Sequence, residues 1–172
     1  MKIKMLLFVV VAGWLSISSE IVAQEASYVY SSDEAKFKVE FPVQFKEMVN
    51  DGTVFQVSCN SSGLMFMASA IKLDWDSEME KAHEANKELA FQTAINSLVE
   101  ALNGEIISTV SATKNGVDGK IVVIQQQSTD FKIFYAVYIK GLIEYQLLIM
   151  EQEVGSLDDK KVNKFKNSFE IF

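Results

Sequence analysis

Residues 120–150 constrain the fold most, because they contain three consecutive β-strand patterns with only short turns between them. In the second and third patterns every other residue is apolar, and alternation of period two is typical of strands. The alternating sets are Phe131, Ile133, Tyr135, Val137 and Ile139, and then Ile143, Tyr145, Leu147 and Ile149. The intervening residues are largely apolar too. A sheet that is apolar on both faces must be covered on both faces, so we predict an antiparallel sheet between two layers.

The remaining patterns give the order of the elements. Strand patterns lie within residues 36–41, 43–49, 53–60 and 64–73, a helix pattern runs from Ser77 to Leu102, a strand pattern runs from Glu105 to Lys114, and Gly155-Ser156 opens a last helix after the three central strands. No linker divides the chain, and the segment from Gln24 to Ser32 is predicted to be loose. We therefore predict one α+β domain over residues 24–172, in the order ββββ-α-ββββ-α, with a mostly antiparallel sheet between helices.

The predicted long helix begins at Ser77, which matches a capping box with Glu80. Its apolar residues occupy two sides, which are Phe91, Ile95, Leu98 and Leu102 on one and Met79, Ala82 and Leu89 nearly opposite. We expect the larger side to face the sheet, and a neighbouring loop to cover Leu89 at least partly. Trp75 stands between two aspartates just before the helix, where it is either a core residue or an interface anchor. Trp75 and Leu89 are therefore the candidate interaction residues.

The first 23 residues have the organisation of a secretory signal peptide. Lys2 and Lys4 precede an apolar run from Met5 to Ile17, which is shorter than the roughly 20 residues that span a bilayer. We place cleavage after Ala23, or one residue later. The only cysteine is Cys59, so no lipid anchor is predicted at the new N-terminus. Residues 24–172 are expected to be exported, soluble, periplasmic or extracellular, with no transmembrane segment after cleavage.

The charged residues argue against one class of partner. All 16 basic residues are lysines, and the net charge is −7 at pH 7. Arginine supplies the planar, bidentate donor that dominates phosphate and base-edge recognition. A negative chain without that donor is poorly suited to a phosphate backbone. The sequence therefore predicts no nucleic-acid partner.

No catalytic, cofactor or metal site is predicted. His83 is the only histidine, and Lys87 stands where a zinc-protease HExxH pattern would need its second histidine. Cys59 lies in a strand pattern and is expected to be a small buried residue. Met65 and Met67 share a strand face and could hold Cu(I), but methionine more often fills a core. The inventory indicates a protein that is not an enzyme.

Three features of the sequence occur together in a known group of proteins. They are an opening strand Phe37-x-Val39-x-Phe41-Pro42, a long helix in mid-chain, and the closing motif Phe165-x-x-Ser168-Phe169. In these features the chain resembles the PsbP-like and DcrB-like group of secreted or lumenal proteins, over most of residues 24–172. The resemblance implies an antiparallel sheet sandwiched between helices. It also implies a role like that of the well-known members, which are assembly or stabilising proteins docked on larger complexes.

These observations favour an exported, non-enzymatic accessory domain. It would bind an unknown protein partner in the bacterial cell envelope, as a monomer or a weak homo-oligomer. The alternative is a carrier of a small apolar ligand or lipid between sheet and helix, which the aromatic residues of the central strands suggest. A third hypothesis is an unrecognised hydrolase, for which no nucleophile–base pair is visible in the sequence.

Overall fold

The structure is a computed structural model that describes residues 28–50, 52–74, 78–81, 86–129, 131–152 and 155–172. The signal peptide predicted over residues 1–23 lies outside these ranges. The strands are β1 (Tyr28–Ser32), β2 (Phe37–Phe41), β3 (Lys46–Asn50), β4 (Val54–Ser61), β5 (Leu64–Lys72), β6 (Gly104–Lys114), β7 (Val117–Gln126), β8 (Lys132–Lys140), β9 (Ile143–Glu151) and β10 (Glu170–Ile171). The helices are α1 (Lys87–Leu102) and α2 (Lys160–Ser168).

Two antiparallel sheets form the frame of the molecule. The large sheet has seven strands in the order β3-β4-β5-β9-β8-β7-β6, and the small sheet has the order β1-β2-β10. The pairing of β5 with β9 joins the strands that precede α1 to those that follow it. The three central patterns of the sequence are the neighbours β7, β8 and β9, so the predicted α+β fold with an antiparallel sheet is confirmed.

Helix α1 covers one face of the large sheet. It buries the side that the sequence assigned to the core, which is Phe91, Ile95, Leu98 and Leu102. These side chains pack on a single apolar cluster from β5, β7, β8 and β9, which includes Met67, Val122, Ile124, Ile133, Tyr135, Val137 and Leu148. Burying one such side chain stabilises the fold by about 1.5–3 kcal/mol. The packing of these four side chains therefore fixes α1 on this face of the sheet.

The opposite face is covered by α2 and the small sheet together. Phe165 of α2 and Phe37 and Phe41 of β2 are fully buried there. They pack on the second apolar set of the central strands, which includes Phe134, Ala136, Tyr138, Tyr145, Leu147 and Ile149. This cover is therefore part helix and part sheet, because α2 has only nine residues and too narrow an apolar edge to cover the face by itself.

The observed order of elements differs from the prediction at both ends of the described chain. Tyr28–Ser32, predicted to be loose, forms β1 and pairs with β2, with Tyr30 opposite Val39. Five strands therefore precede α1, and the short strand β10 follows α2. The pattern of β1 is weak because Tyr30 is its only buried residue.

The long helix is shorter than predicted. Helix α1 begins at Lys87, because the Asn86 side chain accepts a hydrogen bond from the Leu89 N–H at 3.3 Å and caps the helix there. Residues 78–81 are helical as a separate stretch, and the proposed cap Ser77 lies outside the described residues. The end is as predicted, with Asn103 in the left-handed conformation at φ 47°. Within the described ranges neither helix is long and apolar enough to be a membrane span.

Candidate functional site

Of the two candidate interaction residues, Leu89 lies within the described part of the chain. Leu89 lies in the first turn of α1, and 62% of its side chain is exposed. The prediction that a neighbouring loop covers Leu89 is therefore wrong. Within the described ranges α1 packs through the side that contains Phe91, and the opposite side, with Leu89, is directed towards solvent. Trp75 lies outside the described residues, so its predicted position near Leu89 stays a prediction.

A second exposed apolar surface was not indicated by the sequence. Strand β6 is the last strand of the large sheet, and most of its residues are exposed. Ile107 and Val110 are half exposed, at 50% and 54%, and Ile106 follows at 38%. A single strand pattern does not reveal whether the strand lies at an edge or in the interior of a sheet. The signal that could have found it is the mixture of serine and threonine with isoleucine and valine along Gly104–Lys114.

Two shallow clefts lie beside the first turn of α1. The larger one has a volume of about 260 Å³ and is bordered by Glu88, Phe91, Lys120 and residues of β6 and β7. The other, about 220 Å³, is bordered by the ion pair of Lys87 with Asp118 and by residues of the β6–β7 turn, β8 and the β8–β9 turn. Both are open to solvent and are lined by a mixture of charged, polar and apolar groups, whereas a lipid carrier needs an enclosed apolar cavity. These clefts give the carrier hypothesis no support.

Polar side chains interrupt the apolar face of the sheet on the side of α1. The Gln146 amide donates a hydrogen bond to Glu144, and the Ser69 hydroxyl donates to Gln146 at 3.4 Å. Burial raises the pKa of Glu144, and the Gln146 hydrogen bond opposes that rise in part. Burial also raises the pKa of Tyr135 well above its usual value, and the Glu144 charge adds to it. The folded protein therefore disfavours the charged form of the Glu144 carboxyl group.

Replacing Glu144 with glutamine is expected to stabilise the protein increasingly as the pH rises from acid to neutral. A group with a raised pKa in the folded state contributes stability that is complete below its unfolded pKa, near 4.5, and that is lost as pH rises through the folded pKa. The glutamine variant cannot ionise and does not incur that loss. Thermal midpoints of both proteins, measured from below pH 4.5 to neutral pH, check this. A gap between the two midpoints that is constant with pH would contradict it.

Two possible nucleophiles of the described chain, Cys59 and Ser62, lie in unsuitable positions. Burial raises the pKa of the Cys59 thiol to about 12, so the thiol stays protonated and unreactive. Lys161 Nζ donates hydrogen bonds to Ser62 Oγ at 2.6 Å and Ser61 Oγ at 3.3 Å. Ser62, however, is exposed at the tip of the β4–β5 turn, and neither cleft reaches it. We interpret these hydrogen bonds as structural contacts between α2 and the β4–β5 hairpin. They give the hydrolase hypothesis no support.

The metal hypotheses gain nothing from the geometry. His83 lies outside the described residues, within which no group of three or more His, Cys, Asp or Glu side chains could hold a metal ion. Met65 and Met67 belong to the core beneath α1, as the core interpretation predicted. The Met67 sulfur accepts a hydrogen bond from the Gln56 amide at 2.9 Å, which satisfies that buried amide.

Comparison with solved structures shows the fold. A cyanobacterial PsbP (CyanoP) from Synechocystis sp. PCC 6803 superposes with a TM-score of 0.63 at 12% identity, over 90% of this chain and 98% of that one. A protein from Bacteroides thetaiotaomicron VPI-5482 matches with a TM-score of 0.46 at 13% identity, over 87% of this chain and 49% of that one. No protein-family model and no curated protein matches the sequence significantly. The described chain therefore has a PsbP-like fold.

Proposed function

We propose that this chain is an exported, non-enzymatic accessory domain that binds another protein in the cell envelope. The observation that carries the proposal is the PsbP-like fold, which extends over nearly the whole of both superposed chains. The well-known proteins of the group that the sequence resembles are assembly or stabilising factors docked on larger complexes. The amino-terminal pattern of Lys2, Lys4 and the following apolar run supports export.

The first turn of α1 offers the partner a docking point. Leu89 is directed away from the sheet, beside the exposed side chains of Glu88 and Gln92. Met79, in the preceding helical stretch, is also half exposed at 50%. A single exposed leucine or methionine is common on protein surfaces, but an apolar side chain that is buried on binding can dominate the energy of an interface. We therefore place the partner contact at Leu89.

Replacing Leu89 with aspartate is expected to leave the melting temperature nearly unchanged and to abolish partner binding. The exposed leucine contributes little packing, and a negative charge in the first turn of a helix interacts favourably with the helix dipole. The matched control is Gln92→Asp, which introduces the same charge one turn later on an exposed position. Thermal melting and affinity capture of both variants check this. A large loss of stability in Leu89→Asp would show that Leu89 belongs to the core.

The proposal as a whole is tested by purifying the protein from the native envelope under mild conditions. We expect a stoichiometric protein partner that remains with wild type and Gln92→Asp and is lost from Leu89→Asp. Amino-terminal sequencing of the same material reports export and is expected to begin at Gln24. Quantitative recovery of the protein alone would contradict partner binding, and an intact Met1 would contradict export.

A further inference from the structure

Strand β6 is an unprotected edge of the large sheet. It is eleven residues long, has β7 as its only neighbour among the described strands, and presents Ile106, Ile107 and Val110 to solvent. The opposite edge, β3, has five residues and begins with the charged pair Lys46 and Glu47. Natural sheets protect their edges with short strands, charges, prolines or bulges, because an unpaired row of backbone groups recruits another strand.

The protection of β6 is confined to its ends. Its charged residues are Glu105 and Lys114, and its one irregularity is a bulge between Ile106 and Ser108. The seven residues from Ser108 to Lys114 keep a regular register with β7. The middle of the strand is therefore open to a partner, and it contains no charge that would repel one.

The order of side chains along β6 is complementary to itself. The register with β7 places Val110 opposite Ile121, Lys114 opposite Val117, and Glu105 opposite Gln125. Lys114 and Glu105 thus lie at equal distances on either side of Val110, four β7 positions away in each direction. The three β7 partners are four residues apart, and the bulge between Ile106 and Ser108 returns Glu105 to the face of Val110. All three β6 residues therefore lie on one face, which is the face away from α1. A twofold axis through Val110 would bring Glu105 of one copy opposite Lys114 of the other, twice.

We propose that β6 is a self-association surface, on which two copies of this chain pair antiparallel about Val110. The two seven-stranded sheets then form one continuous sheet. The charge complementarity of Glu105 with Lys114 selects a second copy as the occupant, in preference to an unrelated strand. The inference does not depend on the proposed function, because Leu89 lies on the outward side of α1 and takes no part in the pairing.

Each interaction between the two β6 strands contributes only a small free energy to the dimer. Backbone N–H and C=O groups of β6 gain partners, and the exposed isoleucine and valine side chains leave water. Cross-strand pairs of opposite charge add to this. Lys114 Nζ already donates to the carbonyl oxygens of Lys166 and Asn167, at 3.3 and 3.2 Å, which fixes its ammonium at this end of the strand. We expect a reversible dimer.

The first test is the oligomeric state of the purified protein by sedimentation velocity over a wide range of concentration. We expect a monomer–dimer equilibrium that Val110→Lys weakens by about tenfold or more, because it places two lysines face to face at the axis. Val29→Lys, on β1, changes an equally exposed valine outside the proposed surface and is expected to leave the dimer intact. A protein that stays monomeric at all concentrations, or a dimer that Val110→Lys leaves unchanged, overturns the proposal.

The second test addresses the register through charge exchange. Glu105→Lys and Lys114→Glu should each weaken self-association by about tenfold, because each homodimer would then contain two like-charged pairs. An equimolar mixture of the two variants should associate as strongly as wild type, because every pair in the mixed dimer regains opposite charges. If both variants melt like wild type and the mixture does not associate, the proposed pairing is wrong.

A covalent variant keeps the register testable if Lys114→Glu does not fold. Val110→Cys places two thiols directly opposite each other, and mild oxidation is expected to link them into a dimer. The buried Cys59 is not expected to compete, because its pKa is about 12. Val29→Cys is the control and should remain monomeric on gels. An equal yield of linked dimer from both variants would overturn the pairing about Val110.

Discussion

Replacing Phe165 with alanine is expected to lower the free energy of unfolding by about 3–5 kcal/mol. The Phe165 ring is fully buried, and its centroid lies 5.1 Å from that of Phe41 and 5.2 Å from that of Phe66. It thus contacts the small sheet and the large sheet at once from α2. Truncation would leave a cavity where the three layers meet, which the surrounding β-strands cannot easily close. Denaturant unfolding at equilibrium measures the change.

The control for Phe165 lies two residues earlier on the same helix. Asn163 is exposed, so Asn163→Ala should change the unfolding free energy by no more than about 0.5 kcal/mol. A loss of under about 1 kcal/mol in Phe165→Ala would indicate that α2 and the small sheet contribute little to holding the domain together.

The sequence predicted the centre of the fold because strong alternation on neighbouring strands leaves few arrangements. It did not predict which apolar face of the central strands packs against α1 and which packs against α2 and the small sheet. In the structure Tyr138 lies opposite Tyr145, and Tyr135 lies opposite Leu148. The set containing Ile133 and Tyr135 therefore faces α1, while the set containing Tyr145 faces α2 and the small sheet. This choice depends on the register between β8 and β9, which alternation within one strand does not specify.

Elements with little burial of their own were the ones missed. Strand β1 has the sequence YVYSS and buries only Tyr30, and β10 is two residues long. Both depend on β2, whose alternation of Phe37, Val39 and Phe41 was clear from the sequence. Such strands form because a partner is already in place, so their local sequence carries a weak signal.

The observed beginning of α1 differs from the predicted one. From the sequence we predicted that Ser77 with Glu80 caps the helix, whereas the described helix is capped by Asn86. Both are sound capping residues, so propensity does not separate them. Burial accounts for the observed helix, because Phe91 and the apolar residues that follow it on one side pack on the sheet. Leu89, one turn after the cap and on the other side, is left exposed.

The candidate surfaces were less predictable than the fold for the same reason. The sequence placed Leu89 on the side of the helix opposite the packed side. It did not predict that Leu89 is exposed. Strand β6 was predicted as a strand, yet its exposure follows from being last in the sheet order. That order is set by the pairing of β5 with β9, which are separated by 70 residues in the chain. Edge position is a property of the whole sheet.

Replacing Tyr145 with alanine is expected to cost about 3–5 kcal/mol, as truncation of a buried aromatic residue does. Tyr145 is 1% exposed, lies opposite Ala70 and Tyr138 on the neighbouring strands, and has its ring 6.3 Å from that of Phe37. It therefore joins the centre of the large sheet to the small sheet. Equilibrium unfolding in denaturant measures the loss, and a change under about 0.5 kcal/mol would mean that this face is not packed against its cover.

Replacing Tyr145 with phenylalanine separates ring packing from ionisation. Burial raises the pKa of Tyr145 above its usual 10.0, because the phenolate is poorly solvated in the core. The stability that depends on the neutral phenol is complete below pH 10.0 and is lost as pH rises through the folded pKa. Tyr145→Phe keeps the ring and cannot ionise, so it should unfold at higher pH than wild type in an alkaline titration. Tyr145→Ala should be less stable than wild type already at neutral pH, and an alkaline midpoint of Tyr145→Phe equal to that of wild type would show that the other buried tyrosines govern alkaline unfolding.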